Sequence, residues 1–305
     1  MTSSSKINSS QTRSIREWVE WGSQAFDEAG LFFGHGTDNA HDEVIYIIVY
    51  ALKTNFEFSG YDIDQPLAEA ENKAVSEFLN QRLTSKQPAA YLVNEAWFCG
   101  LPFYVDERVL VPRSPIAELI EDEFQPWIPR ENIKTILEIG TGSGCIALSC
   151  AYYMKDVRVD AVDIDDGALH VANKNLEHLE LQDRVSFIKS DVFENLADKT
   201  YDIIVSNPPY VSQEEYDGLP AEYHREPQIG LTSGDDGLDC VRDILAHADQ
   251  HLNPGGILIV EVGNTHEALE QAFPEIPFMW LEFEHGGHGI FLLEKNQLSG
   301  ISSDE

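Results

Sequence analysis

Asn207-Pro208-Pro209-Tyr210 places an amide, two prolines and a phenol directly after the apolar run Asp202-Ile203-Ile204-Val205-Ser206. Proline fixes φ, lacks an N–H and pushes the residue before it out of the α region, so the chain cannot turn into a helix there and stays extended past the end of a strand. The Pro208 carbonyl is then left without a ladder partner, beside an Asn207 side chain that offers one acceptor oxygen and two donors. Two acceptors converging on one –NH2, with the Tyr210 ring beside them to stack on a planar group, suit an amide or the exocyclic amine of a base. A lone Pro-Pro is ordinarily only a rigid strand end, so the rest of the chain must decide what this one is.

The second group of chemical residues is Gly140-Thr141-Gly142-Ser143-Gly144, set between an apolar strand at 135–139 and a helix at 145–153. Glycines at such a junction permit a tight turn and bring a ligand close to the backbone at a helix N-terminus. Their spacing differs from the G-x-G-x-x-G of pyrophosphate binders. A second strand at 157–162 ends at Asp163, about 20 residues beyond the glycines, where an acid is placed to hold ribose hydroxyls. A third, at 185–188, ends near Asp191-Val192-Phe193, a polar and apolar pair suited to flank an adenine. The fourth is the strand before Asn207. Glycine loop, ribose acid, adenine pair and amine clamp thus follow one another at the carboxyl ends of successive strands, the edge where open α/β sheets bind ligands.

The elements that must position these groups alternate between strand and helix from Ile133 onward, the signature of an α/β fold with a parallel sheet. A fifth strand is expected at 255–262, closed by an antiparallel pair at 279–283 and 289–293. Upstream, Ile15, Trp18, Val19, Gly22, Ala25 and Phe26 recur at helical spacing behind a Ser14/Glu17 capping box. The run from Val44 to Leu52 is rich in β-branched residues, but Asn39 or Asp42 can cap it as a buried helix, and a third helix carries Leu67, Ala74, Val75, Phe78 and Leu79. Residues 91–111 rise in aromatic and β-branched content around Gly100-Leu101-Pro102 and suggest a hairpin, followed by a helix at 116–124. The chain is expected to divide into a helical substrate-recognition domain at 1–90, a hairpin bridge at 91–112, a catalytic domain at 113–298 and an acidic tail at 299–305.

Composition excludes several classes. With 305 residues, 43% hydrophobic and 24% charged, the chain can bury a sizeable core. No apolar run approaches the ~20 residues of a membrane span, and the polar, Ser-rich start is unlike a secretory signal, so the expected location is the cytoplasm. The four cysteines lack metal-ligand spacing, and His285-Gly286-Gly287-His288-Gly289 has no companion carboxylate or cysteine at a suitable interval, so no metal site is expected. The net charge of −33 repels phosphates, whereas nucleic-acid binders present a basic face. Its two readings are a salt or solubility adaptation and a strongly basic partner.

These motifs together resemble the class I, Rossmann-like, seven-stranded S-adenosylmethionine-dependent methyltransferases, and within them the protein-glutamine methyltransferases that share Asn-Pro-Pro-Tyr. The resemblance covers nearly the whole chain. Pro112-Arg113-Ser114-Pro115-Ile116, Ala96-Trp97-Phe98-Cys99-Gly100 and Tyr223-His224-Arg225-Glu226-Pro227 are similar to the branch that modifies a glutamine of large-subunit ribosomal protein L three. The branch acting on release factors usually carries Pro-Arg-Pro-Glu-Thr-Glu instead. The resemblance implies S-adenosylmethionine held by Glu138, Gly140, Thr141, Gly142, Ser143, Gly144, Asp163, Asp191, Val192 and Asn207, with catalysis by Asn207, Pro208, Pro209 and Tyr210. Glu138 stands where many methyltransferases have Asp. Arg113 and Glu226 are the substrate-side candidates, Glu226 also as a proton acceptor, and the implied partner is a basic ribosomal protein rather than nucleic acid or membrane. Rival readings are glutamine methylation of release factors, adenine-amine methylation with base flipping, and a noncatalytic cofactor-binding module.

Overall fold

The computed structural model describes residues 12–299; the Ser-rich start and all but the first residue of the expected acidic tail lie outside the described residues. The chain divides into two units, one of residues 1–95 with 220–225, the other of 96–219 with 226–305. Among the described residues no helix is long and apolar enough to cross a membrane.

The first unit is built from α1 (Ile15–Glu28), α2 (Ala40–Leu52), α3 (Glu69–Ser85) and α4 (Ala89–Val93). The capping box forms: Ser14 Oγ accepts from the Glu17 N–H at 3.2 Å and Glu17 Oε2 accepts from the Ser14 N–H at 2.8 Å. The β-branched run is helical because Asn39 Oδ1 caps it through the Asp42 N–H at 2.9 Å, and Val44, Ile47, Ile48 and Leu52 fall on one buried face. Gly22 allows α1 to approach α2, since a Cβ there would stand 2.8 Å from Val44 Cγ1. Under this core lies a charged cluster that sequence reading did not see. Arg82, fully buried on α3, donates from Nε to Glu43 Oε1 at 2.7 Å, from Nη1 to Glu222 Oε1 at 3.3 Å and from Nη2 to the Phe32 carbonyl at 3.0 Å.

The second unit opens with the hairpin β1 (Ala96–Phe98) and β2 (Leu101–Phe103), then α5 (Ile116–Glu121). The hairpin is not a separate bridge across 91–112: α4 still belongs to the first unit, and Phe98, Leu101 and Phe103 pack into the same core as α5 and the sheet. Helix α5 stops at Glu121 rather than running to 124, because Glu123 and Phe124 adopt left-handed φ of 50° and 61°. Then follow β3 (Thr135–Ile139), α6 (Cys145–Tyr153), β4 (Arg158–Asp163), α7 (Asp166–His178), β5 (Val185–Lys189), β6 (Tyr201–Ser206), α8 (Gln213–Gly218), α9 (Asp239–His251), β7 (Leu252–Glu261), α10 (His266–Ala272), β8 (Met279–Trp280) and β9 (Ile290–Glu294).

The strands form one seven-stranded sheet of order β5-β4-β3-β6-β7-β9-β8, parallel through β7 and antiparallel at β9 and β8. Both faces are covered, which is why these strands read as continuous apolar runs. Ile203, Val205, Ile257 and Ile259 face a core shared with α5 and α6, while Ile204, Leu258 and Val260 face one shared with α9 and α10. The chain leaves β3 in one direction for β4 and β5, then returns to the other side for β6. The crevice between β3 and β6 is therefore the topological switch point, where ligands of such sheets bind.

Candidate active site

The glycine loop and the amine clamp meet at this switch point. Ser206, the last residue of β6, donates its hydroxyl to the Ile139 carbonyl at 2.8 Å, and a Cβ on Gly140 would lie 3.9 Å from the Asn207 carbonyl oxygen. Gly140, Gly142 and Gly144 have φ of 72°, 54° and 81°, a region that side chains disfavour. Gly144 is also sterically required, because a Cβ would come 2.9 Å from Phe187 Cζ, so it seats α6 on the sheet and does not line the cavity. Glu138 lies fully buried beneath the loop, accepting from Thr141 Oγ1 at 2.5 Å and from the Ala147 N–H at 2.9 Å. Burial pushes its carboxyl up to about 8, those two donors hold it down, and the charge of Asp163 adds to the rise. Asp163 accepts from the Gly142 N–H at 2.8 Å and the Asp165 N–H at 2.9 Å; burial raises its carboxyl, opposed by those backbone donors.

A cavity of about 440 Å³ runs along this edge. Its walls include Glu138, Gly140, Thr141, Gly142, Ser143, Asp163, Asp191, Val192, Asn207, Pro208, Pro209, Tyr210 and Arg113. Neither the Asn207 side chain nor the Pro208 carbonyl is hydrogen-bonded to another described residue, and both residues line the cavity. Glu226 is not part of the wall. Its fully buried carboxylate forms a bidentate pair with Arg113, 2.6 Å to Nη1 and 2.7 Å to Nη2, and also accepts from the Val111 N–H at 2.9 Å. Both oxygens being engaged, Glu226 braces the segment before α5 and is a poor candidate for contacting substrate or taking a proton. Among the described residues no group of three or more His, Cys, Asp and Glu forms a metal-ligand set, and the four cysteines are free.

Residues 124–221 match the methyltransferase small domain family. The chain is 47% identical over 287 residues to the ribosomal protein uL3 glutamine methyltransferase of Neisseria gonorrhoeae, covering 94% of this chain and 96% of that one. It is 42% identical to the enzyme of the same name from Francisella tularensis, covering 93% and 91%. The chain belongs to the ribosomal protein uL3 glutamine methyltransferases. As a member it is an enzyme whose methyl donor is S-adenosylmethionine. Of solved structures, the hMettl16 catalytic domain in complex with MAT2A 3'UTR hairpin 6 is similar in fold alone, with a TM-score of 0.50 and 20% identity over 63% of this chain and 75% of that one.

The residues present fit that donor. The glycine loop opens unhindered backbone to the cavity, Asp163 keeps lone pairs beyond those its two backbone donors use, and Ile164, half exposed, adds an apolar wall beside it. Sequence reading of this methyltransferase missed Ile164 together with Glu261, Ser114, Gly263 and Ile229. Glu261 ends β7 on the same sheet face as Glu138, and an acid at the carboxyl end of an apolar strand, as Asp163 is for β4, was the one local signal that could have singled it out. The His285–Gly289 segment, read as a polar turn, has a role in the site. A Cβ on Gly289 would lie 2.1 Å from the Gly263 carbonyl oxygen, and one on Gly263 would lie 2.8 Å from Tyr210 Cε2, so this glycine stack forms the seat of the Tyr210 ring.

Proposed function

We propose that this enzyme transfers the methyl group of S-adenosylmethionine to the side-chain amide nitrogen of a glutamine in large-subunit ribosomal protein uL3, giving N5-methylglutamine. The observation that carries the reading is the acceptor pair of Asn207 and Pro208 at the cavity, with the Tyr210 ring beside it. An amide nitrogen is a weak nucleophile because its lone pair is delocalised, the resonance that gives amide rotation a barrier of ~18–20 kcal/mol. Asn207 Oδ1 and the Pro208 carbonyl accept the two N–H bonds of the substrate amide and favour the positive charge that develops on nitrogen as it is alkylated. Pro208 and Pro209 keep that backbone rigid, and Tyr210 lies against the amide plane. The bound cofactor supplies an electrophilic methyl on a sulfonium. Positioning of this kind lowers a barrier by ~7–11 kcal/mol. The extra proton leaves the alkylated nitrogen for water, so no general base is needed. Asp163 and the glycine loop hold the ribose and backbone-facing parts of the donor, and Asp191 and Val192 its adenine.

Recognition of the protein around the glutamine is assigned to the helical unit and to Trp97, exposed on the hairpin. The net charge of −33 favours a free, basic uL3 over RNA or DNA as the partner. The test is incubation with methyl-labelled cofactor and, in parallel, uL3, a release factor and plasmid DNA. Label confined to one glutamine of uL3 is expected; label in the release factor or the DNA alone would sink the reading.

A further inference from the structure

The seat of Tyr210 is completed by a carboxylate that the reaction scheme does not use. Glu261 is buried at the end of β7. Its Oε2 accepts from the Ser114 hydroxyl at 2.5 Å and its Oε1 from the Tyr210 hydroxyl at 3.4 Å. Ser114 Oγ in turn accepts from the Ile116 N–H at 3.2 Å, so its proton is committed to Glu261. The ring is held from below by Gly263, whose N–H and that of Val262 both bond to the Gly289 carbonyl, at 3.2 and 2.6 Å. A carboxylate at the phenol, a glycine floor under the ring and proline before it leave Tyr210 few alternative placements.

Resting on the glutamine-methyltransferase reading, we propose that Glu261 is a positioning residue, which fixes the Tyr210 ring against the substrate amide through hydrogen bonds from the Tyr210 and Ser114 hydroxyls. Ionised, Glu261 accepts both hydroxyl protons; protonated, it must turn one of its oxygens into a donor, so the bond at that oxygen reverses its direction or is lost and the phenol and its ring resettle. Burial pushes its carboxyl up to about 7, while the Ser114 and Tyr210 hydroxyls and the charge of Arg113 hold it down, so the change falls within the working range of pH. Arg113 and Ser114 face it from the segment before α5, Tyr210 from the clamp, and Ile290 stands beside it in the sheet. His266, on α10, bonds instead to the Gly263 carbonyl, its Nδ1 3.1 Å away.

The experiment has two arms. In the first, the protein carries ring-labelled tyrosine, the Tyr210 resonance is assigned with Tyr210→Phe, and its shift is followed against pH without any substrate. A midpoint near that of Glu261 is expected in the parent protein. It should move to higher pH in Ser114→Ala, which removes a donor to the carboxylate, and vanish in Glu261→Gln. In the second arm, on whichever acceptor the parent protein methylates, kcat should rise through the same midpoint. Glu261→Gln should lower kcat about ten- to hundredfold, as misplacement does, lose that pH inflection, and leave the cofactor Kd and the KM for substrate nearly unchanged. If Glu261→Gln keeps the Tyr210 titration, the inflection belongs to another group and the proposal is wrong. An unchanged kcat overturns it equally. Absence of methyl on uL3 would count against the substrate reading, while the first arm would still decide the role of Glu261.

Discussion

At the scale of single residues, Asn207 and Asp163 should fail in opposite ways. Removing one group that stabilises developing charge ordinarily costs ~10²–10³ in rate. Because the Asn207 side chain is hydrogen-bonded to no other described residue, Asn207→Ala should leave the fold intact and lose turnover by that factor, with cofactor affinity changed far less. Single-turnover rates set beside calorimetric dissociation constants check this, and near-normal turnover would remove Asn207 from the mechanism. Asp163→Ala should instead weaken the cofactor by ~1.5–3 kcal/mol, the worth of a charge-assisted hydrogen bond, while turnover at saturating cofactor survives. Part of that loss will come through the loop, since Asp163 also holds the Gly142 and Asp165 N–H groups. Unchanged affinity by calorimetry would mean that the ribose is held elsewhere. Both candidates line the cavity, and both stood out in the sequence because the signal is local, an exceptional residue at the end of an apolar strand. The structural role of Glu226 could not be told from a substrate-side one, and Glu261 was overlooked, for the complementary reason. What each carboxylate does is set by a partner 113 or 147 residues away in the chain, Arg113 for one and Ser114 for the other.

At the scale of elements, the first unit depends on the charge that α3 buries. Arg82 sits between the Glu43 carboxylate at the start of α2 and the Glu222 carboxylate of the 220–225 segment. Arg82→Met would leave two buried carboxylates without their cation, which typically costs ~3–5 kcal/mol. Burial raises the Glu43 carboxyl above its ordinary value even with Arg82 present, so the folded state holds more protons than the unfolded chain and this group's contribution falls as pH rises through and above the usual glutamate range. Without Arg82 the carboxyl rises further, and the deficit of the variant should be smaller at pH 5 than at pH 8. Urea midpoints at the two pH values check this; an equal deficit at both would mean that Arg82 acts by packing rather than charge. The helices and strands themselves were legible, because capping residues and two-sided burial leave local patterns. The shortened α5 and the hairpin's place in the second core were not. The first turns on the left-handed backbone at Glu123 and Phe124, the second on contacts of Phe98, Leu101 and Phe103 with distant elements.

At the scale of the whole molecule, the excess of 53 acidic over 20 basic residues must act on any charged partner. Ribosomal proteins are basic because they bind RNA, so a free uL3 would be drawn in by electrostatic steering, an effect on association rate that falls steeply with ionic strength. An assembled ribosome offers phosphate to the same surface and would be repelled. The competing account makes the acidity an adaptation to salt or a demand of solubility, with no bearing on the substrate. The two accounts diverge in one titration. Under steering, kcat/KM on free uL3 should fall as salt rises from tens of millimolar, chiefly through KM, because exposed charges more than ~10 Å apart are screened by 0.1 M salt. Turnover at saturating substrate should barely move, and mature large subunits should be poor acceptors at low salt, where their phosphate repels the enzyme unscreened. Catalytic efficiency that stays flat or rises toward molar salt, or methylation of mature subunits as readily as of the free protein, would assign the charge to adaptation and leave recognition to shape and short-range contacts.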